Sequence, residues 1–221
     1  MRTQTKDTLQ QLTPRKAYEI LAEGNRRFVS NIRYNRNLLE QVNETSDGQY
    51  PFAVVLSCID SRTSAELIFD QGLGDIFSVR IAGNVLNEDI LGSMEFACQV
   101  AGSKLIVVLG HTRCGAVKGA CQGVRLGHLS GLLDKIGPAV RAVDETGGGR
   151  LTPDERVEQV AVANTRAQIQ SILDRSPILK RLFDEGKVGL VGGMYSVESG
   201  DVSFFEPRFS EAPEPLLAAT A

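Results

Sequence analysis

The 221-residue chain predicts an α/β fold: a mostly parallel central sheet of about four strands, one antiparallel edge strand and flanking helices. Three observations predict it. Short β-rich apolar runs alternate with stretches of helical spacing, which is the order of βαβ units. The strongest run, Leu105-Ile106-Val107-Val108-Leu109, is apolar throughout, as a strand buried on both faces is. The composition, 42% hydrophobic and 23% charged, is that of a globular protein. A chain this long builds a sizeable core, so folding needs no disulfide or metal staple. We read residues 1–221 as one domain, with no internal repeat and no low-complexity tract.

The elements follow in order. Residues 1–48 read as an N-terminal helical arm. Thr13 suits an N-cap and Pro14 a first helical position. Ala17, Ile20, Leu21 and Phe28 then recur at helical spacing. This thin stripe must pack on its own domain or on a partner subunit, and we expect the partner. Strand one is 52–56, bounded by Pro51 and Ser57. A helix at 65–69, strand two at 76–80 and a helix at 89–100 follow. Strand three is 105–109, and a helix runs from Cys114 to Cys121. Residues 129–143 have helical spacing, and Thr146-Gly147-Gly148-Gly149 is a loop. A long helix covers 154–173. Ser176-Pro177 opens a shorter one that Gly186 stops. Strand four is 188–191. Ser199-Gly200-Asp201 reads as a hairpin turn into an antiparallel edge strand at 202–205. The tail, 211–221, reads as loose.

The bulk properties exclude several classes. A net charge of −3 without a basic block argues against a nucleic-acid partner and against a membrane surface. No stretch approaches the roughly 18 apolar residues of a transmembrane helix. The first residues, MRTQTKDTLQQLT, hold no apolar core of a signal peptide, so a cytoplasmic location is expected. Four cysteines in 221 residues do not make a disulfide scaffold.

The polar, metal-capable residues collect at strand ends. Cys58, Asp60 and Arg62 follow strand one, and His111 and Cys114 follow strand three. Where the strand order of an open doubly wound sheet reverses, two neighbouring strands leave a crevice at their carboxyl ends. If strands one and three are those neighbours, segments about 50 residues apart face each other across it. Two thiolates and an imidazole suit Zn²⁺. Three protein ligands leave a fourth position for water, the arrangement of a catalytic site. A structural site needs a fourth fixed ligand, and Asp60 is the residue with a claim to it. Cys98 and Cys121 read as core residues and His128 as an ordinary histidine of a loop. Gly72 and Gly74 read as a helix end and turn before strand two.

These residues resemble a known family. Cys58-Ile59-Asp60-Ser61-Arg62 resembles the Cys-x-Asp-x-Arg motif of the β-class carbonic anhydrases, and Gly110-His111-Thr112-Arg113-Cys114-Gly115 their His-x-x-Cys-Gly motif. Ser78-Val79-Arg80-Ile81-Ala82-Gly83-Asn84 is similar to the arginine-and-asparagine segment after strand two. The likeness runs from about Leu12 to Phe205. It implies one zinc per subunit, a homodimer or dimer-based assembly, and reversible hydration of carbon dioxide to bicarbonate and a proton by zinc-bound hydroxide. By position, it implies Cys58, His111 and Cys114 as ligands and Asp60 with Arg62 as a dyad beside the metal. If Arg62 let go, Asp60 could swing onto zinc as a fourth ligand and close the site. The resemblance further implies Gln49 as a substrate-facing residue and Gly115 as a backbone donor. Phe77 and Phe96 match aromatic pocket walls, offered across a dimer interface. Two positions depart from the pattern. Ala82 stands where a larger apolar residue is usual. Val55 stands where the subtype with a secondary bicarbonate site has tryptophan, so no such site is expected.

No histidine stands out as a proton shuttle; His128 is the one remaining candidate. Hydrolysis of carbonyl sulfide or carbon disulfide at the same site is a close rival. A non-catalytic zinc-binding domain is another, and the intact Asp60–Arg62 pair speaks against it. A thiol-redox role lacks a Cys-x-x-Cys.

Overall fold

Threonine and asparagine caps organise the N-terminal segment. The computed structural model describes residues 3–147 and 150–210. The Thr5 hydroxyl accepts from the Thr8 N–H and opens α1 (Lys6–Gln11). Thr13 accepts from the Lys16 N–H and opens α2 (Pro14–Val29), with Pro14 in its first turn as predicted. Asn37 caps α3 (Leu38–Glu44). Neither α1 nor α3 reaches two full turns, too short for a period to show in the sequence.

The remaining elements are β1 (Ala53–Ser57), α4 (Ala65–Ile68), β2 (Ile76–Arg80), a 3₁₀ turn (Ala82–Asn84), α5 (Glu88–Glu95), a π-helical turn (Phe96–Val100), β3 (Leu105–His111), α6 (Gly115–Cys121), α7 (Gly127–Asp134), α8 (Gly137–Glu145), α9 (Pro153–Arg175), α10 (Pro177–Asp184), β4 (Gly189–Tyr195) and β5 (Val202–Phe204). The sheet order is β2-β1-β3-β4-β5. The first four strands are parallel, and β5 adds antiparallel at the edge after a turn in which Gly200 takes φ +79°. The predicted class therefore stands. The order reverses between β1 and β3, which are the neighbours the crevice argument requires.

Both faces of the sheet are covered. On one, Ala17 and Leu21 of α2 and Ala65 and Ile68 of α4 pack on Ala53, Val55, Leu105 and Val107. On the other, Leu91 and Met94 of α5, Ile169 and Ile172 of α9 and Leu179 of α10 pack on Val54, Leu56, Ile106 and Val108. A third cluster, with Val117, Ile136, Val157 and Val160, surrounds Cys58 and Cys114. The α2 stripe thus seats on its own sheet, whereas Leu38, Leu39 and Val42 of α3 are exposed.

Gly24 lets α2 approach this closely. A Cβ there would collide with the backbone carbonyl of Phe69, which cannot swing aside as a flexible side chain would. Gly24→Ala is expected to cost about 2–3 kcal/mol through overpacking, a fall of roughly 5–10 °C in Tm for a domain of this size. An unchanged melting temperature would show that α2 is not seated there.

Several boundaries differ from those predicted. β3 continues through His111, which pairs with Tyr195, so this residue ends a strand rather than following one. Residues 129–143 form two helices, because Pro138 has no N–H to carry α7 across into α8. His128 lies exposed in the first turn of α7, not in a loop, since Leu129, Leu132 and Leu133 draw that segment onto the third cluster. The helix expected at 89–100 loosens into the π-helical turn after Glu95. Cys98 is buried as expected, and burial pushes its thiol up to about 12. Cys121 is only half-buried, at the last turn of α6. The predicted 146–149 loop lies partly, and the predicted loose tail wholly, outside the described residues. Among the described residues no helix is long and apolar enough to cross a membrane.

Candidate metal centre

Cys58 is the first residue beyond β1, His111 ends β3, and Cys114 caps α6. Parallel pairing of β1 with β3 brings their carboxyl ends side by side. The two sulfurs and a ring nitrogen of His111 all lie within 4.8 Å of one another, and all three side chains are buried. The turn between His111 and Cys114 depends on Arg113, which takes φ +55°. A non-glycine residue in that conformation costs about 1 kcal/mol or more. The Glu158 carboxylate holds it, accepting the Arg113 N–H at 2.7 Å.

The Cys58 loop is clamped from β2 and from within. Arg80 donates through Nε to the Cys58 carbonyl at 3.0 Å and through Nη2 to the Asp60 carbonyl at 2.7 Å. The Thr63 hydroxyl lies 2.9 Å from the same Cys58 carbonyl. The Gly83 N–H points at the Cys58 sulfur, 3.4 Å away. Arg80 and Gly83 stand in the segment singled out by sequence, but their roles were invisible there. A side chain gripping carbonyls 20 and 22 residues away leaves no local pattern.

The donor set fits zinc on two observations. His111 Nδ1 lies 2.9 Å from the Thr112 carbonyl. A carbonyl only accepts, so Nδ1 carries the proton and Nε2 keeps its lone pair. That Nε2 is buried and has no hydrogen-bond partner, which is costly unless a cation takes the lone pair. The second observation is electrostatic. The Cys114 thiol beside Cys58 holds the Cys58 pKa far below the ordinary thiol value. Cys114 is pushed up, first by the Cys58 sulfur and then by burial. Two thiols this close resist ionising together, because charge on one sulfur raises the other, and a 2+ ion lets both ionise. Zinc addition to metal-free protein at neutral pH is expected to release about one proton. Calorimetry in buffers of different ionisation enthalpy reads this directly, and uptake without release would contradict it.

Asp60 and Arg62 meet as a bidentate pair. Arg62 donates from Nε to Oδ1 at 2.9 Å and from Nη2 to Oδ2 at 2.8 Å, and its backbone N–H reaches Oδ1 at 3.0 Å. These hydrogen bonds hold the Asp60 carboxyl well below the usual carboxylate range. In this arrangement Asp60 is engaged by Arg62, the open alternative of the two left by the sequence.

Three residues expected near the substrate are not brought to this chain's own cluster. Gln49 is exposed and precedes β1, at the opposite end of the sheet from Cys58. The five residues of β1 between them span about 16 Å. Phe77 pairs with Val54, four residues below Cys58, or about 13 Å down the strand. Phe96 meets Phe77 edge-on at 6.2 Å between ring centroids and is half exposed. Gly115, in contrast, sits beside Cys114 at the start of α6, and the space where its Cβ would stand is open.

A doubly wound sheet carrying a buried Cys₂His cluster at its switch point defines a mononuclear zinc protein of the α/β class. Comparison with known proteins narrows this. The model of the family described as carbonic anhydrase matches residues 53–202. Carbonic anhydrase of Mycolicibacterium smegmatis is 36% identical over 195 residues, covering 86% of this chain and 92% of that one. Carbonic anhydrase 2 of Mycobacterium tuberculosis is 35% identical over 193 residues, covering 85% and 90%. The crystal structure of the β-carbonic anhydrase CafA of Aspergillus fumigatus superposes with a TM-score of 0.69 at 27% identity, covering 76% of this chain and 81% of that one. The chain belongs to the β-class carbonic anhydrase family. Zinc is the cofactor and carbon dioxide hydration the activity that go with that family, and the Cys58–His111–Cys114 cluster fits both.

Proposed function

We propose that this chain hydrates carbon dioxide reversibly to bicarbonate and a proton, with Cys58, His111 and Cys114 as zinc ligands and Asp60 and Arg62 as the working dyad. The observation that carries the reading is the orphaned His111 Nε2 facing two buried thiols, with an ionised carboxylate two residues from one of them. When bound, zinc supplies a water acidified enough to serve as nucleophile near neutral pH.

The side chains do the rest. Asp60 Oδ2 accepts one hydrogen bond from Arg62 and keeps a second acceptor position. It uses that position to hold the hydrogen of the attacking oxygen, turning a lone pair toward the carbon. Arg62 fixes the carboxylate in place through both oxygens. The start of α6 offers the Gly115 backbone to a substrate oxygen. Buried apolar walls, Val85 and Ile136 among them, exclude bulk water from the ligands.

Gln49, Phe77 and Phe96 complete a substrate pocket only if a second subunit supplies them, because Gln49 and Phe77 are about 13–16 Å along the strands from their own site and Phe96 packs against Phe77. That supports a homodimer, or an assembly built from dimers, in which each protomer lends these residues to its partner. A cytoplasmic location suits two free thiols this close together, since a reducing compartment keeps them available to the metal.

The deciding experiment is stopped-flow carbon dioxide hydration near pH 8.5 with zinc-loaded protein. Fast proton release is expected. No rate above buffer with one zinc per chain would overturn the assignment and direct the search to carbonyl sulfide and carbon disulfide.

A further inference from the structure

α9 carries two buried amides on its core-facing side. Asn164 is 1% exposed and Gln168 8%. They are four residues apart, so they share one helix face. An uncharged amide placed in a core is costly unless its donors and acceptors are met. Here they are met in a single chain of bonds. The Leu86 N–H donates to Gln168 Oε1 at 3.0 Å. Gln168 Nε2 donates to Asn164 Oδ1 at 3.0 Å. Asn164 Nδ2 donates to the Gly83 carbonyl at 2.9 Å. The Gly83 N–H then donates to the Cys58 sulfur at 3.4 Å.

The segment they grip is a short turn in an uncommon backbone conformation, closed by the Asn84 N–H on the Ile81 carbonyl at 3.0 Å. Gly83 takes φ +70° and Asn84 φ +44°, two left-handed residues in a row. A Cβ at Gly83 would sit 2.8 Å from Ile136 Cδ1, so the backbone there is pressed against the third cluster. The grip holds the Gly83 carbonyl, and the N–H of the same residue points at a metal-ligand sulfur. A hydrogen bond to a thiolate draws charge from it and orients it, and such outer partners typically govern metal affinity by about 10–100-fold.

We propose that Asn164 and Gln168 are positioning residues for the metal centre: through Gly83 they aim a backbone N–H at the Cys58 thiolate and so set how tightly that sulfur binds zinc. This rests on the zinc reading above. The test compares Asn164→Ala with Ser176→Ala, which removes the buried N-cap hydroxyl of α10, far from the metal site, and so lowers stability without touching it. Two readouts are taken: zinc affinity by chelator competition, and the thiolate-to-metal charge-transfer band of the cobalt-substituted protein.

Asn164→Ala is expected to weaken zinc about 10–100-fold and to shift the cobalt band, while Ser176→Ala lowers the melting temperature and leaves both unchanged. Wild-type affinity and band in Asn164→Ala would overturn the proposal. Equal zinc loss in Ser176→Ala would overturn it too, reducing the effect to general stability. Should Asn164→Ala not fold, Gln168→Met keeps the side-chain length and leaves Asn164 in place. About tenfold weaker zinc is then expected, and unchanged affinity overturns the proposal. A wild-type protein binding neither metal would instead overturn the zinc reading itself.

Discussion

Cys58→Ser is expected to abolish carbon dioxide hydration and stoichiometric zinc together. Structural zinc sites bind with an apparent free energy of about 10–16 kcal/mol, and one ligand of four carries about a quarter of it. Losing about 2.5–4 kcal/mol lowers affinity by roughly 10²–10³-fold, and the remaining sulfur and imidazole leave the ion free to wash out. Cys58 is buried and lies in the third apolar cluster, so the serine hydroxyl replaces a thiol at a site that also accepts the Gly83 N–H. The fold should persist, because β1 and its register do not depend on the sulfur. Metal analysis and stopped-flow rates on one preparation check both halves. Retained zinc with retained rate would remove Cys58 from the ligand set.

Arg62→Ala and Asp60→Asn are expected to lower kcat by about 10²–10³-fold, the usual loss when one preorganised polar partner of a reacting oxygen is removed. Position, not ionisation, is the cause. Arg62 holds Asp60 well below the usual carboxylate range. Without Arg62 it returns toward about 3.9, still ionised at neutral pH. The pH–rate profile of Arg62→Ala should therefore keep its shape and lose height. In both proteins the rate should rise on the alkaline side of neutral, since two thiolates cancel the charge of the ion and acidify its water less than three histidines do. A wild-type profile already flat from about pH 6 would contradict this.

The linkage sign separates catalysis from stability in the same variants. A carboxylate with a depressed pKa contributes stability that is complete above its unfolded pKa and lost as pH falls through the folded one. For Asp60 that window lies in strong acid. The Arg62 side chain is 48% exposed, so solvent screens the pair and its share of stability is small. Near-unchanged melting temperature with a large fall in kcat is the expected combination in Arg62→Ala. Unchanged turnover would dismiss the dyad.

The centre of the sheet was legible in the sequence because β1 and β3 are buried on both faces and so read as apolar runs. β1 and β3 were found within one or two residues. The ligands were legible because cysteine and histidine at strand ends are rare enough to stand out. α1 and α3 were not, being too short to show a period, and α7 and α8 merged because a proline break resembles continuous spacing. Glu158, Asn164 and Gln168 went unmarked, although two amides interrupting the apolar face of α9 were a usable signal.

By itself the sequence determined the fold class, the strand at which each ligand sits, the metal those ligands select and the carboxylate–arginine pair beside it. All of these depend on residue type and short spacing, which hydrophobic burial and ligand chemistry translate directly into structure. The tertiary structure decided what depends on long-range packing. It showed that α2 seats on its own sheet, that Asp60 rests on Arg62, and that Gln49 and Phe77 lie about 13–16 Å along the strands from this chain's own cluster. It also tied Cys58 through Gly83 to a helix more than 80 residues further along the chain. Such contacts arise only when separate segments are pressed together, and no local pattern of residues encodes which carbonyl a distant amide will meet.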